Sequence, residues 1–153
     1  MAQSANAVRL SGTVRVVGAG LLGSSIGLAL TSQGVDVVLA GSSPTTLKLA
    51  VDLGAGRLAR TDDDPRIIVV CAPPDVTADV IARELADFPH AVVTDVASVK
   101  LDIFNDLVAR GIDLTNYIGS HPLAGREKGG AIAAQGDLFV GRPWVICRDE
   151  ETP

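Results

Sequence analysis

The stretch TVRVVGAGLLGSSIGLALTSQG constrains the fold of this chain more than any other part of its sequence. An apolar run at Val14–Gly18 predicts a buried strand, and the residues after it predict a helix that ends at Gly34. Between them lie Gly18, Gly20 and Gly23, in the spacing G-x-G-x-x-G. Glycine inside a helix costs about 0.5–1 kcal/mol relative to alanine, so repeated glycines at a helix start need a reason.

Binding of a pyrophosphate is the reason that a strand-turn-helix context favours. Gly18 allows the tight turn, Gly20 has no Cβ to block a phosphate, and Gly23 lets the helix pack on the sheet. Free N–H groups and roughly half a positive charge at the helix N-terminus attract the anion. The alternative is a glycine-tolerant turn without a ligand. We predict a dinucleotide site whose contacts in the turn are Gly18, Gly20, Leu21, Leu22 and Gly23.

The rest of the chain alternates apolar runs of strand length with longer runs of helical period. Hydrophobic residues make up 47% and aromatic residues only 3%, so Val, Leu, Ile and Ala must build the core. Such alternation predicts an α/β fold with a doubly wound parallel sheet, a Rossmann-type dinucleotide-binding domain over residues 1–153. Further strands are expected at 35–40, 66–72, 91–96, 116–120 and 143–148.

Charge and cysteine usage limit the partners and the compartment. The net charge of −5 offers no broad basic surface, which predicts no nucleic-acid partner. No apolar stretch approaches membrane-spanning length, which predicts no membrane partner, and the first twelve residues lack a signal-peptide pattern. Cys71 and Cys147 lie in apolar runs without metal-ligand spacing. They predict buried core thiols, no metal site and a reducing, cytoplasmic location.

The residues after the second predicted strand bear on the choice of cofactor. Rossmann-type NAD enzymes usually place an acidic residue there, on the ribose hydroxyls. This chain has Gly41 and two serines instead, without a carboxylate to repel a 2′-phosphate. We therefore predict NAD or NADP, with a slight preference for NADP. Ser43 precedes Pro44 and is also expected to cap the next helix, and both roles can hold. The candidate cofactor contacts beyond the turn are Gly41, Ser42, Ser43, Ala72 and Pro73.

A second motif, YIGSHPLAGREKGG at Tyr117–Gly130, follows a short predicted strand. Ligands in such sheets bind beyond the carboxyl ends of strands, and imidazole accepts protons near neutral pH. His121 is therefore a candidate proton acceptor, held extended by Pro122, and a histidine satisfied by loop hydrogen bonds is the alternative. Arg126 would attract an acidic substrate, and Glu127 would orient a neighbour or screen the pocket, unless both are only solvated.

A third motif, TDVASVK at Thr94–Lys100, ends a predicted strand and starts a helix. Ser98 is expected to be the N-cap of that helix. Lys100 would lie in the first helical turn, where a cation opposes the helix dipole. It therefore needs a nearby anion, which Asp95, Asp102 or a bound ligand would supply.

These three motifs, together with DLFVGRPWVI near the end of the chain, resemble those of prephenate dehydrogenases and the related arogenate-using enzymes. The similarity extends in the same order from Val14 to about Arg148. Many dehydrogenases share the first motif, so the His-Pro motif is the more specific part of the resemblance.

The resemblance implies that this domain binds NAD(P), and that a following helical domain completes the substrate pocket and forms the homodimer. The implied reaction is the oxidative decarboxylation of prephenate or arogenate to 4-hydroxyphenylpyruvate or tyrosine, in tyrosine biosynthesis. Matched by motif, His121 accepts the proton of the 4-hydroxyl, Ser98 hydrogen-bonds near that hydroxyl, and Glu127 corresponds to an acidic residue tied to gating.

Two departures from the family pattern matter. Gly41 replaces the ribose-binding acid, and the helical domain, with its arginine for a substrate carboxylate, has no counterpart in these 153 residues. The expectation is that this polypeptide binds cofactor without turning over substrate by itself, and that a homodimer needs the helical domain. The alternatives are a β-hydroxyacid-type dehydrogenase and a noncatalytic NAD(P)-sensing module.

Overall fold

The computed structural model describes residues 11–124 and 129–147 of the chain. Within these ranges one sheet contains the strands Thr13–Val17 (β1), Val37–Ala40 (β2), Arg57–Leu58 (β3), Pro65–Val70 (β4), Val92–Asp95 (β5), Tyr117–Pro122 (β6) and Trp144–Cys147 (β7). The helices are Leu21–Thr31 (α1), Pro44–Asp52 (α2), Pro74–Asp87 (α3) and Leu101–Ala109 (α4), with a 3₁₀ turn at Ala131–Ala133. None of the described helices combines the length and apolarity that crossing a membrane requires.

The strands lie side by side in the order β3-β2-β1-β4-β5-β6-β7. Neighbours are parallel from β3 to β6, and β7 is antiparallel to β6. The chain first builds outward from β1 to β3 and then continues from β4 on the other side of β1. The predicted α/β fold with a doubly wound, mostly parallel sheet is therefore confirmed.

Two apolar layers cover the two faces of the sheet. Successive residues of a strand point to opposite faces, so β1 contributes to both layers. Val16 belongs to the cluster that includes Ile26 of α1. Val17 belongs to the cluster that includes Ile81 of α3 and Leu107 of α4. The helices thus pack on both faces of the sheet.

The start of α4 differs from the sequence-based expectation. This helix begins at Leu101, its N-cap is Lys100, and no side-chain hydrogen bond caps it. The prediction that Ser98 is the N-cap is therefore wrong, and Ser98 lies exposed in the connection from β5. Lys100, at the N-cap, forms an ion pair with the buried Asp95 at the end of β5.

The two cysteines differ in how deeply they are buried. Both are free thiols. Cys71 follows β4 and is partly buried, whereas Cys147 is exposed. The prediction of a buried core thiol is wrong for Cys147, because β7 is an edge strand whose four residues are all exposed. An apolar run of strand length does not reveal whether a layer covers it.

Candidate functional site

The predicted site lies at the edge of the sheet where the parallel strands end. β1 and β4 are neighbours there, and the chain leaves them in opposite directions, toward β2 on one side and toward β5 on the other. Open α/β sheets bind ligands in the crevice at such a reversal. The turn at 18–23 leaves β1 at this point, and residues 71–73 leave β4 beside it. The structure thus brings together two groups of predicted cofactor contacts.

Close backbone contacts explain two of the three glycines in the turn. Gly18 has φ of +102°, and a Cβ there would lie 2.5 Å from the carbonyl oxygen of Cys71. A Cβ on Gly23 would lie 1.8 Å from the carbonyl oxygen of Gly18 and 3.2 Å from Cγ1 of Val16. α1 therefore packs directly on the turn and on β1, which a larger residue at either position would prevent.

Gly20 is surrounded by open space. Apart from its chain neighbours and the backbone of α1, no atom of the described residues lies within 4 Å of a Cβ built on it. Gly20 is the N-cap of α1, which has no side-chain cap bond and no acidic residue in its first turn. The first N–H groups of a helix have no intrahelical acceptor, so those of Leu21 and Leu22 are available to an anion that the dipole attracts. The open space at Gly20 and the free N–H groups at the start of α1 together fit a diphosphate group.

The residues after β2 combine an open surface with a helix cap. Gly41, Ser42 and Ser43 are all exposed. The hydroxyl of Ser43 accepts a hydrogen bond of 3.3 Å from the backbone N–H of Thr46 and lies 2.9 Å from the Thr46 hydroxyl. The predicted cap of α2 is confirmed. The three residues contain no carboxylate, so none of them repels a phosphate at this strand end.

His121 lies within β6, because this strand continues to Pro122. The sequence had suggested that the motif follows a strand. The partly buried His121 pairs with Val145 of β7, and its Nδ1 lies 3.4 Å from the carbonyl oxygen of Val96. A carbonyl only accepts hydrogen bonds, so Nδ1 carries the proton in this contact and Nε2 is the basic nitrogen of the neutral ring.

The carboxylate of Asp95, fully buried at the end of β5, joins three neighbouring segments. Its Oδ1 accepts a hydrogen bond of 2.8 Å from the Tyr117 hydroxyl. Its Oδ2 accepts one of 3.0 Å from the N–H of Ala97 and another from the ammonium of Lys100. Asp95 is thus the anion that Lys100 requires. Burial, and then the charge of Asp95, raise the pKa of Tyr117, so the phenol remains a hydrogen-bond donor.

The hydroxyl of Ser120, next to His121, also joins several segments by hydrogen bonds. We call this group of contacts the Ser120 junction, and that of Asp95 the Asp95 junction. The Ser120 hydroxyl donates to the carbonyl oxygen of Asp95 over 2.8 Å and accepts from Nε1 of Trp144 over 2.9 Å and from the Thr94 hydroxyl over 3.1 Å. Trp144 also lies against the ring of Phe139, with centroids 5.1 Å apart. Sequence reasoning missed this junction, because the residues come from separate strands and a single tryptophan carries no periodic signal.

The predicted site residue Ser98 takes no part in either junction. Ser98 lies in the same connection as Val96, whose carbonyl contacts His121, but Ser98 itself is exposed. Arg126 and Glu127 lie outside the described residues. Cys71, at the reversal of the sheet, is unsuited to nucleophilic chemistry. Burial, with a smaller contribution from the nearby Asp95 charge, raises the pKa of its thiol to about 12.

The reversal between β1 and β4, the glycine turn and the open helix N-terminus define a nucleotide-binding domain of the Rossmann type. The chain matches the family model described as "Prephenate dehydrogenase, nucleotide-binding domain" over residues 26–153, and it belongs to that family. The cofactor class is NAD(P). The family match begins within α1, after the glycine turn. The close contacts at Gly18 and Gly23 therefore support a nucleotide site independently of that match.

Individual relatives agree with the family. The chain is 42% identical over 134 residues, 88% of its length and 37% of the relative's, to the probable prephenate dehydrogenase NovF of Streptomyces niveus. It is 30% identical to the solved arogenate dehydrogenase of Synechocystis, with a TM-score of 0.80 over 92% of this chain and 51% of that one. Its fold also matches prephenate dehydrogenase from A. aeolicus, solved with hydroxyphenyl propionate and NAD+, with a TM-score of 0.84, 24% identity and coverage of 95% and 54%.

The chain is shorter than these relatives. It spans 37% to 50% of the length of the curated relatives that it matches. The family membership therefore applies to this nucleotide-binding domain.

Proposed function

We propose that this domain binds NAD(P) at the turn 18–23 and is the cofactor half of an enzyme that oxidatively decarboxylates prephenate or arogenate. The observation that carries the proposal is the shared edge of the sheet: the open turn after β1 and the oriented imidazole of His121 on β6 lie at the same end. Three strand spacings, about 14 Å, separate β1 from β6. The nicotinamide half of an extended dinucleotide would run along this edge toward β6.

The residues of this chain would divide the work of the reaction. Bound NAD(P) supplies the acceptor for a hydride from the ring carbon that bears the 4-hydroxyl. His121 would accept the proton of that hydroxyl at Nε2, while the Val96 carbonyl holds the proton on Nδ1. The bond from the ring to the departing carboxylate would then break, its electron pair remaining in the ring to make it aromatic while carbon dioxide leaves. The products are then 4-hydroxyphenylpyruvate from prephenate or tyrosine from arogenate.

We propose further roles for residues of the second and third motifs, those of Ser98 and Glu127 from the family resemblance and that of Arg126 from its charge. Ser98 would hydrogen-bond near the same hydroxyl, from the connection that also carries Val96. Arg126 would attract a carboxylate of the substrate, and Glu127 would take part in gating. A helical domain would complete the substrate pocket and form a homodimer.

The preference for NADP over NAD is also part of the proposal. Its support is the strand end at Gly41, where the exposed serines offer hydroxyl groups and no carboxylate opposes a 2′-phosphate. If a Gly41→Asp variant were made, the new side chain would meet only ordinary contacts, since the nearest atoms to a Cβ there are 3.7 Å away. We expect that variant to bind NADPH less tightly and NADH at least as well.

The first experiment is a calorimetric titration of the chain with NADPH, NADH and prephenate, followed by kinetics in a polypeptide that includes a helical domain. In that polypeptide we expect His121→Asn to lower kcat by about 10²- to 10⁴-fold while leaving the Kd for the coenzyme unchanged. An unchanged rate in the variant would refute the role of His121. Coenzyme binding by the polypeptide with the helical domain, without any response to prephenate or arogenate, would instead indicate a sensing module.

A further inference from the structure

One peptide group, the one that joins Val96 to Ala97, lies between a buried carboxylate and the imidazole of His121. Its N–H donates a hydrogen bond of 3.0 Å to Oδ2 of Asp95. Its carbonyl oxygen lies 3.4 Å from Nδ1 of His121. Asp95 and Val96 are both buried, so water does not compete for these contacts. A single peptide group thus connects the acid at the end of β5 with the candidate base on β6.

The orientation of this peptide group is fixed by its neighbours. The described peptide bonds are all trans, and a planar trans peptide points its N–H and its carbonyl in opposite directions. Because Asp95 holds the N–H, the Val96 carbonyl points away from that carboxylate, on the side of His121. The N–H of Val96 itself donates to the Val70 carbonyl of β4 over 3.2 Å. A flip of the peptide would break the bond to Asp95 and remove the acceptor from His121.

The Asp95 carboxylate is paired with a single cation among the described residues. That cation is Lys100, whose side chain is itself only 21% exposed. The thiol of Cys71 and the phenol of Tyr117 also feel the charge of Asp95. Burial, and then that charge, raise the pKa of both groups, so both stay neutral at neutral pH. A buried ion pair is a weak source of stability, because desolvation offsets its attraction, so this pair calls for another explanation.

We propose that Asp95 is a positioning residue for His121: its carboxylate, acting through the peptide group at 96–97, keeps the imidazole proton on Nδ1 and leaves Nε2 as the base. The inference rests on the proposed function, in which His121 accepts a proton from the substrate. A carboxylate that accepts from one end of a peptide group makes the carbonyl at the other end a stronger acceptor, and a low local dielectric strengthens the effect. A carboxylate hydrogen-bonded directly to a catalytic imidazole has the same consequence in serine proteases. The 3.4 Å contact is long for a hydrogen bond, and catalytic contacts of this kind tighten when substrate binds.

The first test is the ¹⁵N NMR spectrum of the histidine rings in the whole chain, at alkaline pH, where free imidazole is neutral. The chain has two histidines, and the exposed His90 serves as an internal reference. In wild type, Nδ1 of His121 should show the shift of a protonated ring nitrogen and Nε2 that of an unprotonated one. The ring of His90 should instead exchange between both forms, as free histidine does. The opposite assignment for His121 would overturn the inference without any variant.

The second test compares Asp95→Asn with Tyr117→Phe. Asparagine keeps the size of the side chain and an oxygen for the Ala97 N–H, and it removes the charge. We expect the ratio of Nδ1-protonated to Nε2-protonated His121 to fall by about 2- to 10-fold. Tyr117→Phe is the matched control, because it removes a hydrogen bond to Oδ1 of the same carboxylate and leaves the Oδ2 bond to the peptide intact. It should leave the ratio unchanged.

Kinetics separate this role from a general loss of structure. In a polypeptide with a helical domain, Asp95→Asn should lower kcat by about 10-fold and change the KM for prephenate by less than about 2-fold. A general loss of structure would raise the KM as well, and that outcome would overturn the inference. So would equal changes of the ratio in Asp95→Asn and Tyr117→Phe.

Failure of this inference is distinguishable from failure of the proposed function. If His121→Asn lost its rate but Asp95→Asn kept both the ratio and kcat, only the inference would fail. If His121→Asn kept its rate, the proposed function would fail and the inference with it.

Discussion

The two sides of the candidate site are built in different ways. On the cofactor side, the turn after β1 is shaped by close backbone contacts at Gly18 and Gly23, beneath a helix that packs on a central strand. On the His121 side, β6 lies next to the edge strand β7, whose residues are all exposed. This side is held by polar contacts that converge on Asp95 and Ser120.

Because they are built differently, the two sides should tolerate different kinds of substitution. A turn shaped by contact between backbone atoms is disrupted when atoms are added, because a packed interior has little room to relax. A side held by hydrogen bonds is disrupted when a donor or acceptor is removed and its buried partner is left unsatisfied. We therefore expect the cofactor side to respond to small increases in size and the His121 side to respond to loss of polar groups.

The largest expected effect is that of Gly23→Ala. Its added Cβ would lie 1.8 Å from the Gly18 carbonyl oxygen, so α1 must move from the turn. We expect the free energy of unfolding to fall by about 3 kcal/mol. Urea unfolding followed by circular dichroism measures it.

The control for this prediction is Gly20→Ala, which adds the same methyl group in open space. It should change the stability by less than about 1 kcal/mol, yet weaken dinucleotide binding, since the methyl group would occupy the place of the phosphate. Equal losses of stability in the two variants would show that the turn is not shaped by packing at Gly23.

A smaller effect is expected for Trp144→Phe on the other side of the site. Phenylalanine keeps a ring beside Phe139 but cannot donate the 2.9 Å hydrogen bond to Ser120. The expected loss of stability is about 1 kcal/mol. Ile146→Thr, at a β7 residue that is 59% exposed, is the control and should cost less than about 0.5 kcal/mol. If both variants had the same stability in urea, the Ser120 junction would not be what holds β7.

The smallest effect is a shift in the titration of Tyr117, the only tyrosine of the chain. Burial raises its pKa above the ordinary value of 10.0, and the charge of Asp95 raises it further. The folded chain should therefore show no phenolate absorbance until well above pH 10, whereas the chain in guanidinium should titrate normally. Because the folded state holds this proton longer than the unfolded state, the stability should begin to fall as pH rises above 10. Coincident titrations in the two states would show that Asp95 and burial do not act on this phenol.

Much of the fold could be predicted from local patterns. Five predicted strands besides β1 overlap observed ones, because buried parallel strands are continuous apolar runs that stand out between amphipathic helices. β3 has two residues, too few for any periodicity, and it was not predicted. Ser98 was predicted to be a cap because serine suits that position, but α4 begins at Leu101, after Lys100 has paired with Asp95.

The candidate site, too, could be predicted from the sequence only in part. Spacing in the sequence identified Gly18, Gly20 and Gly23, and a His-Pro motif identified His121. The asymmetry among the glycines did not follow from spacing, since the contacts at Gly18 and Gly23 involve a neighbouring strand and turn. The contacts of Tyr117 with Asp95 and of Ser120 with Asp95 and Trp144 join residues more than twenty positions apart, and local chemistry does not reveal such pairs.

The amino-acid sequence by itself determined the alternation of strands and helices, the glycine turn and the chemical groups available at the strand ends. Their periods and spacings are local properties, readable without knowing which strands are neighbours. Only the tertiary structure decided that β7 is the edge strand of the described sheet, and that Tyr117 contacts Asp95 and Trp144 contacts Ser120. These depend on strand order and register, which arise from contacts between residues distant in the chain.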